Sequence, residues 1–556
     1  MHELSLLIGG QAGYGIDRSG TIIGRLLNRM GYHIYIYREY PSLIRGGHTF
    51  SIIRASQDRI AAHKNTIDVL IALNPETLEL HKNKLIKNGI CIYDSEQTKQ
   101  ILGSCCLNLP LTRFVKEENA PDIMRNTCAI GAFAKTVGIE FAILEEVLKK
   151  ELPRATDLNL KVARHGYEEA REFKKITELK QGNLPILSGN QGIALGLLKG
   201  GLNAYIAYPM TPSSPILHYL ASNANDINID VIQPESEISV ALMALGYIYA
   251  GKKAAVGTSG GGFCLMTESL SMAGMAELPI VIILGQRPGP STGLPTYSAQ
   301  TELHFALHAG QGEFHRFVVA PGDAEEALFW SAICMNISWK YQIPGIILSD
   351  KNMGESVFNF DMKILENLPE NMSFSSWTGE STYKRYLFTE TGISPLIFPP
   401  VKNETVKINS YEHDENGVTT EDPNQTTQMQ DKRLRKNQFL LQELENMNTV
   451  NTYQAQDDES TALLCWGSNK GVCVEIGKKL GIGVIQPVVL NPFPVKQFQQ
   501  AVSKVKKLIS VENNATGQLA DLVKNNGFNV YKKVLKYDGR AFSLEELEEK
   551  IKGAIS

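Results

Sequence analysis

Residues 205–215 read YIAYPMTPSSP, an apolar run closed by prolines. The run, which begins at residue 203 and ends at 208, reads as a buried strand. Pro209 and Pro212 fix φ at their own positions and restrict the residues before them. Thr211 therefore stands on a stiff loop at the C-terminal end of a strand, with Tyr208 and Pro209 leading into it. Ser213 is placed to cap the next helix, and Pro215 suits its first turn. Open α/β sheets bind ligands outside the carboxyl ends of their strands. An ordinary proline-rich turn from strand to helix would read the same way from this string alone.

The same grammar recurs along the chain. Residues 233–251, QPESEISVALMALGYIYAG, place Ile238, Ala241, Leu242, Leu245 and Ile248 at helical spacing, which predicts a largely buried helix with Glu235 and Glu237 at its start. A strand over 253–257 runs into TSGGGF, read as a glycine-rich turn of residues 258–262 before another helix. PIVIILG, 279–285, is a strand buried on both faces. It runs into QRPGPSTGLPT, a rigid loop carrying Arg287, Ser291, Thr292 and Thr296. Strands at 317–320 and 345–350, with a helix after Asp323, complete a doubly wound sheet. Residues 362–456 are polar, and the charge run within 411–438 reads as a solvated face leading into a helix. From 457 the pattern of strand, polar turn and helix resumes. Four segments result: α/β domains at 1–180, 181–361 and 457–556, with a polar excursion at 362–456.

With 556 residues the chain has room for roughly three or four domains of ~150 residues. A formal net charge of −4 argues against nucleic acid as a partner. No apolar run approaches the ~20 residues that span a bilayer. The start, MHELSLLIGG, has no basic region or cleavage site, so the expected compartment is the cytoplasm. None of the eight cysteines forms a CxxC pair, so neither a disulfide framework nor an iron–sulfur cluster held by this chain alone is expected.

The first segment opens as strand, glycine loop, helix: GGQAGYG spans 9–15. Glycines at a helix N-terminus let backbone N–H groups approach an anion. Gly10, Gly13 and Gly15 do not follow the GxGxxG order of a dinucleotide site, although Glu39, after the second strand, has the place of an acidic ribose ligand. A tight turn without ligand is the other reading. Arg45, before Gly46 and Gly47, suits a phosphate, a carboxylate or a protein contact, or is a plain surface cation.

Taken in order, GGQAGYG, YPSLIRGG, YPMTPSSP, SEISVALMALG, TSGGGF, QRPGPSTGLPT, YEHDENG, the Lys432–Arg433 pair and VENNATGQL resemble the alpha subunit of the 2-oxoacid:ferredoxin oxidoreductases, in the form with a gamma-type domain fused at the N-terminus. The 2-oxoglutarate branch is the nearest likeness. Met210 departs from the family's isoleucine, a volume-conserving swap. The resemblance implies a gamma-type domain, a pyrimidine-binding domain of thiamine enzymes and a transketolase C-terminal-like domain. It also implies oxidative decarboxylation of a 2-oxoacid to an acyl-CoA, with thiamine diphosphate as cofactor and electrons passed to ferredoxin.

On this resemblance Glu237 matches the glutamate that meets the aminopyrimidine ring, although an acid suiting the helix dipole would stand there too. Arg287 and Thr211 match the oxoacid-binding pair, with Tyr208, Pro209, Ser291, Thr292 and Thr296 in the same pocket. Thr258, Ser259 and Gly260 belong to the cofactor's surroundings. Gly10, Gly13, Gly15 and Arg45 face coenzyme A or a neighbouring subunit. No GDG with a downstream asparagine is present, and Tyr537 opens YDGRAF without that partner. Mg²⁺ and a [4Fe–4S] cluster are therefore expected in a separate beta subunit. Pyruvate or a branched 2-oxoacid as substrate, a nicotinamide-dependent dehydrogenase, and an assembly subunit without chemistry are the alternatives.

Overall fold

A computed structural model describes residues 3–43, 46–98, 106–179, 184–368 and 374–555. Contacts gather the chain into two compact units. The first takes Met1–Leu187 and two later returns, Glu355–Asp361 and Phe542–Glu549. The second takes Ser188–Gly354, Met362–Ala541 and Lys550–Ser556, so the polar excursion and the last α/β segment belong with the central sheet.

In the first unit, strands β1 (Glu3–Gln11), β2 (His33–Glu39), β3 (His48–Ser56), β4 (Ile67–Ala72), β5 (Leu85–Asp94), β6 (Cys106–Leu109) and β7 (Ile186–Ser188) enter one sheet. β1 is buried almost throughout, as its run of apolar residues requires. β1 pairs in parallel with β4, while β3 lies antiparallel between β1 and β2. The strand carrying Glu39 is thus not the neighbour of the strand before the glycine loop, unlike the adjacent parallel pair of a dinucleotide fold. Glu39 instead accepts the Tyr37 hydroxyl at 3.0 Å.

The second unit holds a sheet of β8 (Ala204–Ile206), β9 (Asp230–Ile232), β10 (Ala254–Ser259), β11 (Val281–Gln286), β12 (Phe317–Val319) and β13 (Gly345–Asp350). β14 (Val357–Asn359) returns to the first sheet, antiparallel to β2. The order in the second sheet is β12-β13-β11-β10-β8-β9, all parallel. From β8 the chain steps outward to β9, then crosses to β10 on the other side, so the switch point lies between β8 and β10. Ile206, Val256, Ile283 and Phe263 are among the fully buried residues of its core.

The last segment forms β15 (Val450–Tyr453), β16 (Asp458–Leu464), β17 (Ile482–Pro487), β18 (Val489–Asn491), β19 (Lys507–Glu512) and β20 (Lys532–Leu535). Five of these make their own sheet, β15-β17-β16-β19-β20. β18 leaves it and adds antiparallel to β12 of the central sheet. No helix among the described residues is long and apolar enough to cross a membrane.

Four expectations are corrected. The Glu237–Tyr249 helix buries Ala241, Leu245 and Ile248 but leaves Ile238 and Leu242 about half exposed, because the apolar stripe is wider than the face against the sheet. Residues 258–262 form no turn: β10 runs to Ser259 and the helix Gly260–Met275 starts at once. Ser213 occupies the residue before its helix without capping it; its hydroxyl donates to the Met210 carbonyl instead. The charge run is a solvated face only in part, with many of its residues exposed and three of its cations buried. In the helix Pro423–Leu444, Lys432 and Lys436 are fully buried on Glu277, and Arg433 forks onto Glu412 at 3.0 and 2.7 Å.

Candidate active site

The loop after β8 is tied down from several sides. The Ser213 N–H donates to the Met210 carbonyl at 2.9 Å, and Asn190 Nδ2 donates to the Pro212 carbonyl at 3.1 Å. Ser259 Oγ, at the end of β10, lies against Met210 Sδ. The Met210 sulfur thus offers an acceptor to the Ser259 hydroxyl. Thr211 is half-buried, and its carbonyl accepts from Arg287 Nη1 at 2.9 Å. Arg287 follows β11 directly. Two loops nearly eighty residues apart are therefore joined at one edge of the sheet, at the carboxyl ends of parallel strands.

Glu237 comes to the same edge, as the first residue of the helix after β9. Glu237 is 4% exposed, and its Oε1 has no hydrogen-bond partner among the described residues. Gly262 leaves it room: a Cβ there would stand 2.5 Å from Glu237 Oε1 and 2.1 Å from Thr258 Oγ1. Any side chain at 262 would push the acid aside. Glu235 is exposed; the Ser239 hydroxyl donates to it at 2.6 Å and holds its carboxyl below the usual range. Buried polar groups almost always have partners, so an acid with a bare oxygen at a switch point is the arrangement expected where a ligand completes the set.

The remaining positions separate. Thr258 and Ser259 are fully buried, and Gly260 is partly exposed at the first turn of its helix. Ser291 and Thr292 are exposed, as is Tyr208, while Pro209 is half-buried. Thr296 is buried, with Oγ1 unpartnered among the described residues. Gly10 lies within β1, paired in register with Thr49, so it is not part of a loop. Gly13 and Gly15 have φ of 88° and 75°, left-handed values that favour glycine, and Gly15 precedes the first helix. All three stand in the first unit. Arg45 lies outside the described residues.

Two features escaped the sequence reading. Glu302 is 9% exposed beside the Gly260 helix, with Oε2 unpartnered among the described residues, and burial pushes its carboxyl up to about 7. Nothing in its spacing set it apart from other helix-start acids. The second is the support of its loop. Gln300 Oε1 accepts from the Asn513 N–H at 3.0 Å and from Asn469 Nδ2 at 2.8 Å, and the Gln300 N–H donates to the Asn513 carbonyl at 2.8 Å. The last sheet thereby holds the loop that carries Thr296 and Glu302.

Comparison with known proteins shows the family to which the chain is similar. Residues 196–432 match the family described as pyruvate flavodoxin/ferredoxin oxidoreductase, thiamine diphosphate-binding, and residues 5–169 match the pyruvate ferredoxin/flavodoxin oxidoreductase family. The chain is 30% identical to the 2-oxoacid:ferredoxin oxidoreductase subunit alpha of Saccharolobus solfataricus, covering 100% of this chain and 98% of that one. It is 26% identical to the 2-oxoglutarate oxidoreductase subunit KorA of Mycobacterium tuberculosis, over 100% of this chain and 92% of that one. Among solved structures, the 2-oxoglutarate:ferredoxin oxidoreductase of Magnetococcus marinus, with 2-oxoglutarate, coenzyme A and succinyl-CoA bound, superposes with a TM-score of 0.91 at 29% identity over 100% of both chains. On its sheets, the convergence of its loops and this full-length likeness, the chain belongs to the alpha-subunit family of the thiamine diphosphate-dependent 2-oxoacid:ferredoxin oxidoreductases.

Proposed function

We propose that this chain is the alpha subunit of a 2-oxoglutarate:ferredoxin oxidoreductase, which converts the oxoacid to its acyl-CoA and passes electrons to ferredoxin when joined to a beta subunit. One observation carries the reading: Glu237 keeps a buried oxygen, unpartnered among the described residues, at the strand edge where Arg287 and Thr211 already touch. The choice of oxoacid leans on the 2-oxoglutarate bound to the Magnetococcus marinus relative.

Glu237 would hold the aminopyrimidine ring of thiamine diphosphate, whose thiazolium carbon supplies the nucleophile when the cofactor is bound. Gly262 keeps that acid in place. Thr258, Ser259 and Gly260 build the floor beneath it. Arg287 offers a planar fork to the oxoacid's carboxylate, and its bond to the Thr211 carbonyl keeps arginine and threonine in step. Thr296 would turn its buried hydroxyl to the same substrate, with Tyr208, Pro209, Ser291 and Thr292 at the mouth. Gly13, Gly15 and Arg45 would face coenzyme A or a neighbouring subunit. Mg²⁺ and the [4Fe–4S] cluster are assigned to the beta subunit. Exposed Ile238, Leu242 and Leu265 line an open groove of about 1150 Å³ on the helices that flank Glu237, which supports a partner surface there.

Co-expression with the beta subunit tests this. Viologen reduction that depends on both 2-oxoglutarate and coenzyme A is expected of the complex, and none of the chain alone. A complex that prefers pyruvate or a branched 2-oxoacid would move the substrate assignment. Turnover by the isolated chain would overturn the shared site.

A further inference from the structure

We propose that Glu302 sets the charge an incoming carboxylate meets at Arg287, so that the 2-oxoacid binds together with one proton that settles on Glu302. The inference rests on the proposed function and assigns a role to a side chain that reading leaves unused.

Geometry fixes this acid. Its backbone N–H donates to Gln286 Oε1 at 3.1 Å, and Gln286 is the residue before Arg287. Gln286 Nε2 is in turn held by the Ser349 carbonyl at 3.2 Å. Glu302 Oε1 accepts the Thr301 hydroxyl at 2.8 Å, while Oε2 is buried with no partner among the described residues. A Cβ on Gly260 would stand 2.8 Å from Oε1, so the carboxyl packs directly under the first turn of that helix. The charge that acts on it from a neighbouring element is the guanidinium of Arg287. Gln286 and Thr301 are neutral, and the Gly260 helix offers only the partial positive charge of its N-terminus. On the short helix Leu303–His308, the His304 ring is turned to Gln518, with Nε2 3.3 Å from the Gln518 carbonyl oxygen.

Burial raises the Glu302 carboxyl to about 7, with Arg287 pulling the other way. Near neutral pH the acid therefore stands between its two forms. Protonated, it leaves the Arg287 cation wholly available to an anion. Ionised, it offsets that cation through space, with no direct ion pair to it among the described residues, and an arriving carboxylate meets a second negative charge beside a buried group. The substrate anion thus favours the protonated form, and a proton passes from solvent to a Glu302 oxygen as the oxoacid binds. No other bond changes. By linkage, affinity falls as pH rises through the titration of the free site, by up to ~10-fold per pH unit where a whole proton is taken up.

The assembled complex is the material for the test. KM for 2-oxoglutarate is measured from about pH 6.5 to about pH 8.5, where linkage predicts a steady rise above neutrality. In Glu302→Gln that rise disappears, because a neutral amide leaves Arg287 uncompensated at every pH. Binding of 2-hydroxyglutarate, which has the carboxylates but no oxo group, is followed by calorimetry in phosphate and in Tris. The difference in heat counts protons: about half to one taken up at about pH 7.5 by the unchanged complex, and none by Glu302→Gln. An unchanged complex that takes up no proton overturns the inference even if the variant fails to fold. So does a variant that keeps the slope in KM. Both results leave oxoacid turnover, and with it the proposed function, standing. A complex that neither turns over 2-oxoglutarate nor binds 2-hydroxyglutarate overturns both.

Discussion

Two pairs of buried glutamates in the second unit are built in opposite ways. Glu277 and Glu512 are each 1% exposed or less and fully engaged. Glu277 takes Lys432 Nζ at 2.7 and 2.9 Å and also Lys436 Nζ. Glu512 takes Ser510 Oγ at 2.8 Å, Asn514 Nδ2 at 2.9 Å, and the N–H groups of Leu519 and Ala520 at 2.8 and 3.0 Å. Glu237 and Glu302 are nearly as buried, yet each keeps an oxygen without a partner among the described residues. A satisfied acid holds chain segments together. An unsatisfied one costs folding energy, which a ligand that paired with it would offset.

The strongest test of this contrast is Glu277→Ala. Removing the anion leaves Lys432, Lys436 and Arg385 buried around a void, so a loss of ~3–5 kcal/mol in stability is expected. Thermal or denaturant unfolding measures it, and activity should fall only as far as the folded fraction does. Glu237→Gln should do the reverse in the assembled complex. Turnover falls by roughly 10²–10⁴-fold, the range for a lost acid–base group, while the unfolding midpoint stays within experimental scatter. A variant that melts early would place Glu237 with the structural pair.

Glu512→Gln comes next. The amide puts a donor where acceptors are needed at the start of the Gln518–Asn525 helix, at a cost of ~1–3 kcal/mol. Urea titration should show it, with KM for the oxoacid shifted because the neighbouring Asn513 and Asn514 hold Gln300.

The smallest effect concerns pH. Burial pushes the Lys436 ammonium down to about 7, with a surplus of cations beside it. Glu277 is itself subject to burial, which raises a carboxyl, but the three cations outweigh it and hold it well below the carboxylate range. Above about 7 the folded state has shed the Lys436 proton that the unfolded chain keeps up to its ordinary 10.5. The unfolded state then binds more protons, so stability rises with pH across that window. Lys436→Met removes this part. Its stability advantage over the unchanged chain should shrink by about 1 kcal/mol between pH 7 and pH 8. A constant difference in unfolding free energy would show that Lys436 does not titrate there.

Much of this architecture is legible in local pattern. Runs such as PIVIILG can hardly be anything but strands buried on both faces, and glycine or proline at their ends marks the loops that follow them. Those cues, joined by the order of motifs, led to Glu237, Arg287 and Thr211 before any contact was visible. They did not lead to Glu302, because a buried acid at the start of a short helix has the same sequence signature as an exposed one.

What local pattern settles here is the alternation of strand and helix and the identity of the loops at strand ends, since backbone preference and hydrophobic period act over a few residues. Side-chain fate depends on which distant segments meet. Lys432 and Lys436 look like solvent-facing cations until Glu277 arrives from another helix's end, and Ile238 looks like core until the sheet proves narrower than its stripe. β18 reads as one more strand of the last domain, yet it pairs with β12 of the central sheet. Partner choice of this kind is a matter of three-dimensional packing and charge compensation, and no short stretch of the chain encodes it.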